Sequence, residues 1–265
     1  VQVVQDRADF AKTWATQTGH DNQAAQAQTG LGLTATSLQT GNANRSAQRQ
    51  GGRSLLAFVE QIGDNNGSQQ QQSGRDLSGR ISTIGDGNYA EQTQFATQAD
   101  ALTTQRGDDN HARQNQEGTS LRATITQVGK RNQATQTQAD ADQQATTTQT
   151  GNRNWAEQTQ RNSTGSNVGT SVATITQDGD RNRAQQQQNG SRSSVYIEQE
   201  GDRNTATQRQ SGFYDSARTY QSGVDHFSAI VQTGGANEAS VYQGGAGQSS
   251  TVEQVGATNT ATVRQ

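Results

Sequence analysis

Apolar and small residues recur at alternate positions in short runs along the chain. Leu55-x-Ala57-x-Val59, Leu121-x-Ala123-x-Ile125 and Val195-x-Ile197 are the clearest. Period-two alternation is the pattern of a β-strand that turns one face to an interior. In each run the next position in phase is Gln (Gln61, Gln127, Gln199), and two residues later comes Gly. The alternation stops there, and Gly with its neighbours predicts a tight arc. No segment carries a 3.6-residue apolar period, so the expected elements are strands and arcs throughout.

The Gln marks a repeat. It recurs every 11 residues from Gln17 to Gln160, with Thr83 in one slot, and after a six-residue slip from Gln177 to Gln265. One step back from Gln17 lies Asp6, so 22 of 24 slots are Gln. Gly fills 19 of the 23 positions two residues on; the exceptions are Ala8, Ala96, Asp140 and, with the slip placed before Ser166, Val168. The 11-residue units alternate in two flavours, making the true period 22. One reads Gln-x-Gly-x-x-Asn-x-Ala-x-Gln-x-Gln, and the other is more apolar, as in Leu33-x-Ala35 and Leu77-x-Gly79-x-Ile81. The last units blend the two, as in Asn237-x-Ala239-x-Val241.

Two strands and two arcs per 22 residues predict an all-β fold. It is a two-sheet β-solenoid of strand-arc-strand repeats that stack in register with amyloid-like cross-β spacing. One solenoid domain is expected over residues 1–265, with about 11.5 repeats and an insertion near 161–166. Residues one period apart then form columns about 4.8 Å apart. An amide ladder is expected along Gln17, Gln39, Gln61, Gln105, Gln127, Gln149, Gln177, Gln199 and Gln221. Each side-chain amide would donate to the carbonyl of the next, which makes a polar interior tolerable. An arc ladder is expected along Asn22, Asn44, Asn66, Asn88, Asn110, Asn132, Asn154, Asn182 and Asn204, where Asn caps turn backbone. The arc glycines are Gly19, Gly41, Gly63, Gly85, Gly107, Gly129, Gly151, Gly179 and Gly201.

Composition fits this picture and excludes others. Leu, Ile, Val and Phe make up 34 of 265 residues, below the roughly 20% of an ordinary core. Gln and Asn supply 61. Such numbers alone suggest disorder, but a net charge of only −3 and the absence of proline fit a ladder-forming chain instead. Proline is excluded where every N–H is needed for pairing. There is no stretch of 18 apolar residues to span a membrane, no cysteine, and no electrostatic footprint for nucleic acid. The chain opens on Val1 with no basic-then-apolar leader, which reads as a processed or trimmed form.

Side-chain chemistry is sparse. Asp64, Asp86 and Asp108 fall on successive arcs, with Asp180 and Asp202 later. They read as solvated residues whose stacked charge moderates assembly, or as a cation-binding ladder. Thr124/Thr126, Thr146/Thr148 and Thr174/Thr176 share one outer face and leave open a monomeric solenoid that binds ice or a surface ligand. Arg131, Arg153, Arg181 and Arg203 would meet matrix polysaccharide or extracellular DNA, or simply solvent. Trp14, Tyr89 and Trp155 are candidates for lateral contacts. No catalytic set departs from the repeat, and no metal or cofactor is expected.

The pattern resembles the curlin repeat of curli fibre subunits, Ser-x5-Gln-x-Gly-x-Gly-Asn-x-Ala-x3-Gln. Ser193-x5-Gln199-x-Gly201-x-x-Asn204-x-Ala206-x3-Gln210 follows it, as does the copy from Ser171 to Gln188. Elsewhere Leu33, Leu55, Leu77 and Leu121 replace the Ser, and Arg131, Arg153, Arg181, Asn65 or Asp109 replaces the second Gly. The resemblance covers the chain from residue 6 and implies an extended member. It implies a secreted, extracellular functional amyloid on the surface of a Gram-negative bacterium, supporting biofilm and adhesion. A nucleator subunit, an outer-membrane secretion pore and periplasmic chaperones would be its partners; a nucleator role for this chain is the alternative. The complete final unit, Gln254 to Gln265, predicts end-to-end pairing of copies, its strand meeting the region from Asp6 to Gln17.

Overall fold

A computed structural model describes residues 2–5, 9–162 and 169–265. Asp6, Ala8, Val168 and residues 163–166 of the expected insertion lie outside the described residues. Among the described residues every regular element is a strand and the strands pair in parallel. The chain forms two compact units, Val1–Arg131 and Asn132–Gln265. Each is a β-solenoid whose coils are 22 residues long.

The first unit contains β1 (Gln2–Gln5), β2 (Lys12–Thr18), β3 (Gln23–Thr40), β4 (Arg45–Ile62), β5 (Gly67–Ile84), β6 (Tyr89–Arg106) and β7 (His111–Lys130). From β2 onward each residue pairs with the one 22 positions later, as Gln23 with Arg45 and Thr40 with Ile62. Two strands and two arcs per 22 residues would make each arm a strand of its own. In β3 to β6 two such arms run together as one 18-residue strand, because the arc between them stays paired to the coils on either side. At the N-terminus the backbone step is 23, so Gln5, rather than Asp6, stands opposite Gln28.

The second unit contains β8 (Gln133–Asn152), β9 (Trp155–Arg161), β10 (Ser171–Asp178), β11 (Arg183–Asn189), β12 (Ser194–Asp202), β13 (Thr205–Phe213), β14 (Ser216–Val224), β15 (Phe227–Gly235), β16 (Glu238–Ala246), β17 (Ser249–Ala257) and β18 (Thr260–Arg264). Across the insertion the step widens to 28: Ser171 pairs with Gln143 and Arg183 with Trp155. The six extra residues therefore leave the register of both arms unchanged. After it the step of 22 resumes.

The core is thin and built in columns. Leu33, Leu55, Leu77, Ala99 and Leu121 stack at one corner of the first unit, with Val59 and Ile81 further along the arm. In the second unit Ile175 and Ile197 stack, followed by Val195, Val241, Ile230 and Val252. Between these apolar residues most of the buried polar positions are amides, with some serines and threonines.

The arcs explain the glycines. Gly63 has φ of +119°, and a Cβ there would lie 2.2 Å from the carbonyl oxygen of Gly85 in the next coil. No side chain fits that approach, so the glycine is required by stacking as well as by the turn. Two residues further each arc turns through the left-handed region, for example at Asn65 (58°), Asp109 (57°) and Arg181 (59°). This is the position where the curlin pattern has its second glycine.

Candidate functional site

The functional surface of a stacked coil is the face it offers to the next coil, and three amide ladders dominate it. In the first, Gln39 Nε2 donates to Gln61 Oε1 (2.8 Å) and also to the carbonyl of Gln23 on the facing arm (3.0 Å). The second runs through Gln26, Gln48, Gln70 and Gln92, with Gln48 Nε2 2.9 Å from Gln70 Oε1 and 2.9 Å from Thr36 O. The third runs through Gln28, Gln50, Gln72 and Gln94. One amide proton ties coil to coil and the other ties arm to arm, so both donors are satisfied in a buried interior. The same ladders cross the insertion, where Gln149 Nε2 donates to Gln177 Oε1 (2.8 Å) and the series continues to Gln199 and Gln221. Gln17 begins the first ladder (2.6 Å to Gln39), and Gln105 donates to Gln127 (2.8 Å).

The asparagines hold the arcs. Asn66 donates its backbone N–H to Asn44 Oδ1 (3.0 Å), while its Nδ2 reaches the carbonyl of Gly85 (2.7 Å). The same pattern includes Asn22, Asn88 and Asn110 in the first unit. In the second it includes Asn132, Asn154, Asn182 and Asn204. The carbonyl each Nδ2 takes belongs to an arc glycine: Gly41, Gly63, Gly85, Gly107 and Gly129, then Gly151, Gly179 and Gly201. Gly19 is the first glycine of that column, where an added Cβ would lie 2.0 Å from the carbonyl oxygen of Gly41. Asn thus ties a turn to the turns on either side of it through one acceptor and one donor on a short side chain.

The arc aspartates form their own column outside the asparagines. Asp64 Oδ1 accepts the N–H of Asn42 (2.7 Å), Asp86 Oδ1 that of Asp64 (2.8 Å), and Asp108 Oδ1 that of Asp86 (3.3 Å). Lys130 Nζ lies 2.9 Å from Asp108 Oδ2 and holds that carboxyl below the ordinary range. Asp180 and Asp202 repeat the arrangement with Asn152 and Asp180 as donors. Each carboxylate is therefore both a cap for the preceding coil and a charge stacked near its own kind. Among the described residues no group of three potential ligands is placed to hold a metal ion.

Several departures from the repeat are not legible as sites in the sequence. Thr83 interrupts the first ladder: Gln61 Nε2 turns to Ser68 Oγ (2.9 Å), and Gln105 Oε1 is buried without a partner. Asp215 and His226 occupy asparagine-type corner slots and are each 1% exposed. Asp215 Oδ1 accepts from Asn237 N (3.0 Å), but its Oδ2 has no partner, and burial holds the carboxyl above its ordinary range. Their signal in the sequence is only a substitution within the 22-residue register.

The outer faces are less ordered. Thr146 pairs with Thr174 and Thr148 with Thr176, but the next coil brings Tyr196 and Glu198 into those positions. Thr124 and Thr126 sit beside Leu102 and Thr104. Trp155 lies under the Arg183 guanidinium (4.0 Å), Tyr89 stacks on His111 (5.0 Å), and Trp14 is exposed. Of the arc arginines, Arg203 pairs with Asp225 (2.7 Å) and Arg131 lies 3.6 Å from Asp109; Arg153 and Arg181 sit at left-handed arc positions.

Parallel coils in register, closed by amide ladders and glycine arcs, define a β-solenoid repeat protein whose chemistry is coil-to-coil contact. Residues 234–265 match the family described as the curlin associated repeat. The C-terminal part of the second unit thus carries a curlin-type repeat, in a family and on a fold that are structural. A comparison with curated proteins finds no match.

Proposed function

We propose that the protein is the structural subunit of a curli-like extracellular functional amyloid, polymerising by the contact that stacks its own coils. The observation that carries this reading is self-complementarity. Each coil offers the same amide donors and acceptors at the same register, as in Gln39 to Gln61 and Gln199 to Gln221. A coil of a second copy therefore presents what the next coil of the same copy would present, and parallel strand addition extends the ladders. The curlin repeat at residues 234–265 supports the same reading. It brings with it, as part of the proposal, secretion through an outer-membrane pore, a nucleator partner and a place in the biofilm matrix beside polysaccharide or extracellular DNA.

Seeded growth of unbranched fibres with a cross-β reflection near 4.7–4.8 Å is the expected result. A chain that stays monomeric at high concentration, with or without seeds, would overturn the proposal.

A further inference from the structure

His226 stands where Asn182 and Asn204 stand in the two preceding coils, and its surroundings dictate its protonation. Its backbone N–H donates to Asn204 Oδ1 (3.0 Å). Nε2 lies 3.2 Å from the carbonyl oxygen of Ser222, and Nδ1 lies 3.2 Å from the backbone nitrogen of Gln248. A carbonyl only accepts and a backbone N–H only donates, so Nε2 carries the proton and Nδ1 the lone pair. The neutral ring thus reproduces the acceptor of Asn204, whose Oδ1 accepts from the following coil, and the donation of its Nδ2 to the carbonyl four residues back, Glu200 O; the further bond of Asn204 Nδ2 to Gly223 O has no counterpart at His226, so Nδ1 is the ring atom that holds the following coil. A Cβ added to Gly223 would sit 3.1 Å from Nε2, so the ring is tightly enclosed.

Asparagine keeps these functions at any pH, whereas imidazole does not. A proton on Nδ1 removes the acceptor, sets N–H against N–H at Gln248, and places a charge in a buried slot. Asp225, its neighbour in the same arc, is held by Arg203 of the preceding coil (2.7 and 2.9 Å). Asp202 of that coil accepts the N–H of Asp180. Arg209 on β13 and Glu253 on β17 lie on the exposed outer face, and the following arc brings Ala246, Gly247 and Gln248, which carry no charge.

We propose that His226 is an acid-sensitive latch: in its neutral form it fastens the coil that begins at Gln248, and protonation releases residues 248–265. The latch is a property of the chain itself; only its consequence, control of coil addition by pH, rests on the fibre reading.

Hydrogen exchange on the full-length chain at low concentration tests it, with the amides of β3–β5 as internal reference. If only the neutral ring is compatible with the closed coil, opening of residues 249–264 should rise severalfold between pH 7 and pH 5 after correction for intrinsic exchange. In His226→Asn, which restores the asparagine column, the rise should stay within about 2-fold. His226→Gln, which places the Gln248 side chain type one coil earlier, serves if the first variant does not fold. Nitrogen chemical shifts of the imidazole at pH 7 should show Nδ1 unprotonated. An equal pH response in the wild type and the variant, or a protonated Nδ1 at pH 7, overturns the latch. Fibres that fail to grow at either pH while the exchange difference persists would overturn the fibre reading and leave the latch standing.

Discussion

At the scale of single residues, the molecule depends on amides whose donors and acceptors are paired, and the exceptions can be tested individually. Thr83 is too short to bridge Gln61 and Gln105, leaving Gln105 Oε1 buried and unpaired. Replacing it, Thr83→Gln, should complete the ladder and stabilise the first unit by about 1–3 kcal/mol, read by denaturant unfolding. Asp215 is the opposite kind of exception, an ionisable group where asparagine would have a second donor. Asp215→Asn should stabilise the second unit at neutral pH by about 1–3 kcal/mol. Because burial raises the carboxyl in the folded state, the wild type takes up a proton on folding. Its deficit is therefore present at neutral pH and shrinks as pH falls through the raised value, and unfolding measured between pH 7 and pH 4 should show the gap between the proteins closing. A gap that widens on acidification would contradict the assignment. The 11-residue Gln period is legible in the sequence, since regular spacing is all that is needed to see it. What Asp215 and His226 do is not, because their partners lie one coil away.

At the scale of an element, an arc is two constraints in sequence: a glycine approached by the next coil's backbone, then a left-handed residue. They predict opposite outcomes for substitution. Gly63→Ala meets both a positive φ of +119° and a carbonyl oxygen 2.2 Å from its Cβ. It should destabilise the first unit by about 3 kcal/mol or more in chemical unfolding. Arg181→Gly removes a long side chain from φ of 59°, where there is no such carbonyl to meet, and should gain up to about 1 kcal/mol. The sequence marks the first glycine clearly. It does not explain why the second tolerates Arg, Asp and Asn, because a left-handed turn is merely unfavourable for them while a backbone contact is prohibitive.

At the scale of the whole molecule, the question is how readily copies add. Asp64, Asp86 and Asp108 each cap an N–H and also stack charge along the first unit. Under the fibre reading, Asp64→Asn with Asp86→Asn keeps the caps and removes the repulsion, so the lag before fibre growth should shorten severalfold in a turbidity or dye-binding assay. An unaltered lag would mean that these carboxylates only cap. The sequence by itself determined the strand period, the 22-residue coil, the amide interior and the glycine arcs, because a repeat writes one local geometry many times and noise averages out. Only the tertiary structure decided what each second amide proton does, which oxygen is left unpaired beside Thr83, and which nitrogen of His226 carries the proton. Those are relations between residues 4 to 28 positions apart, fixed by distances of about 3 Å that alternation along a strand does not specify.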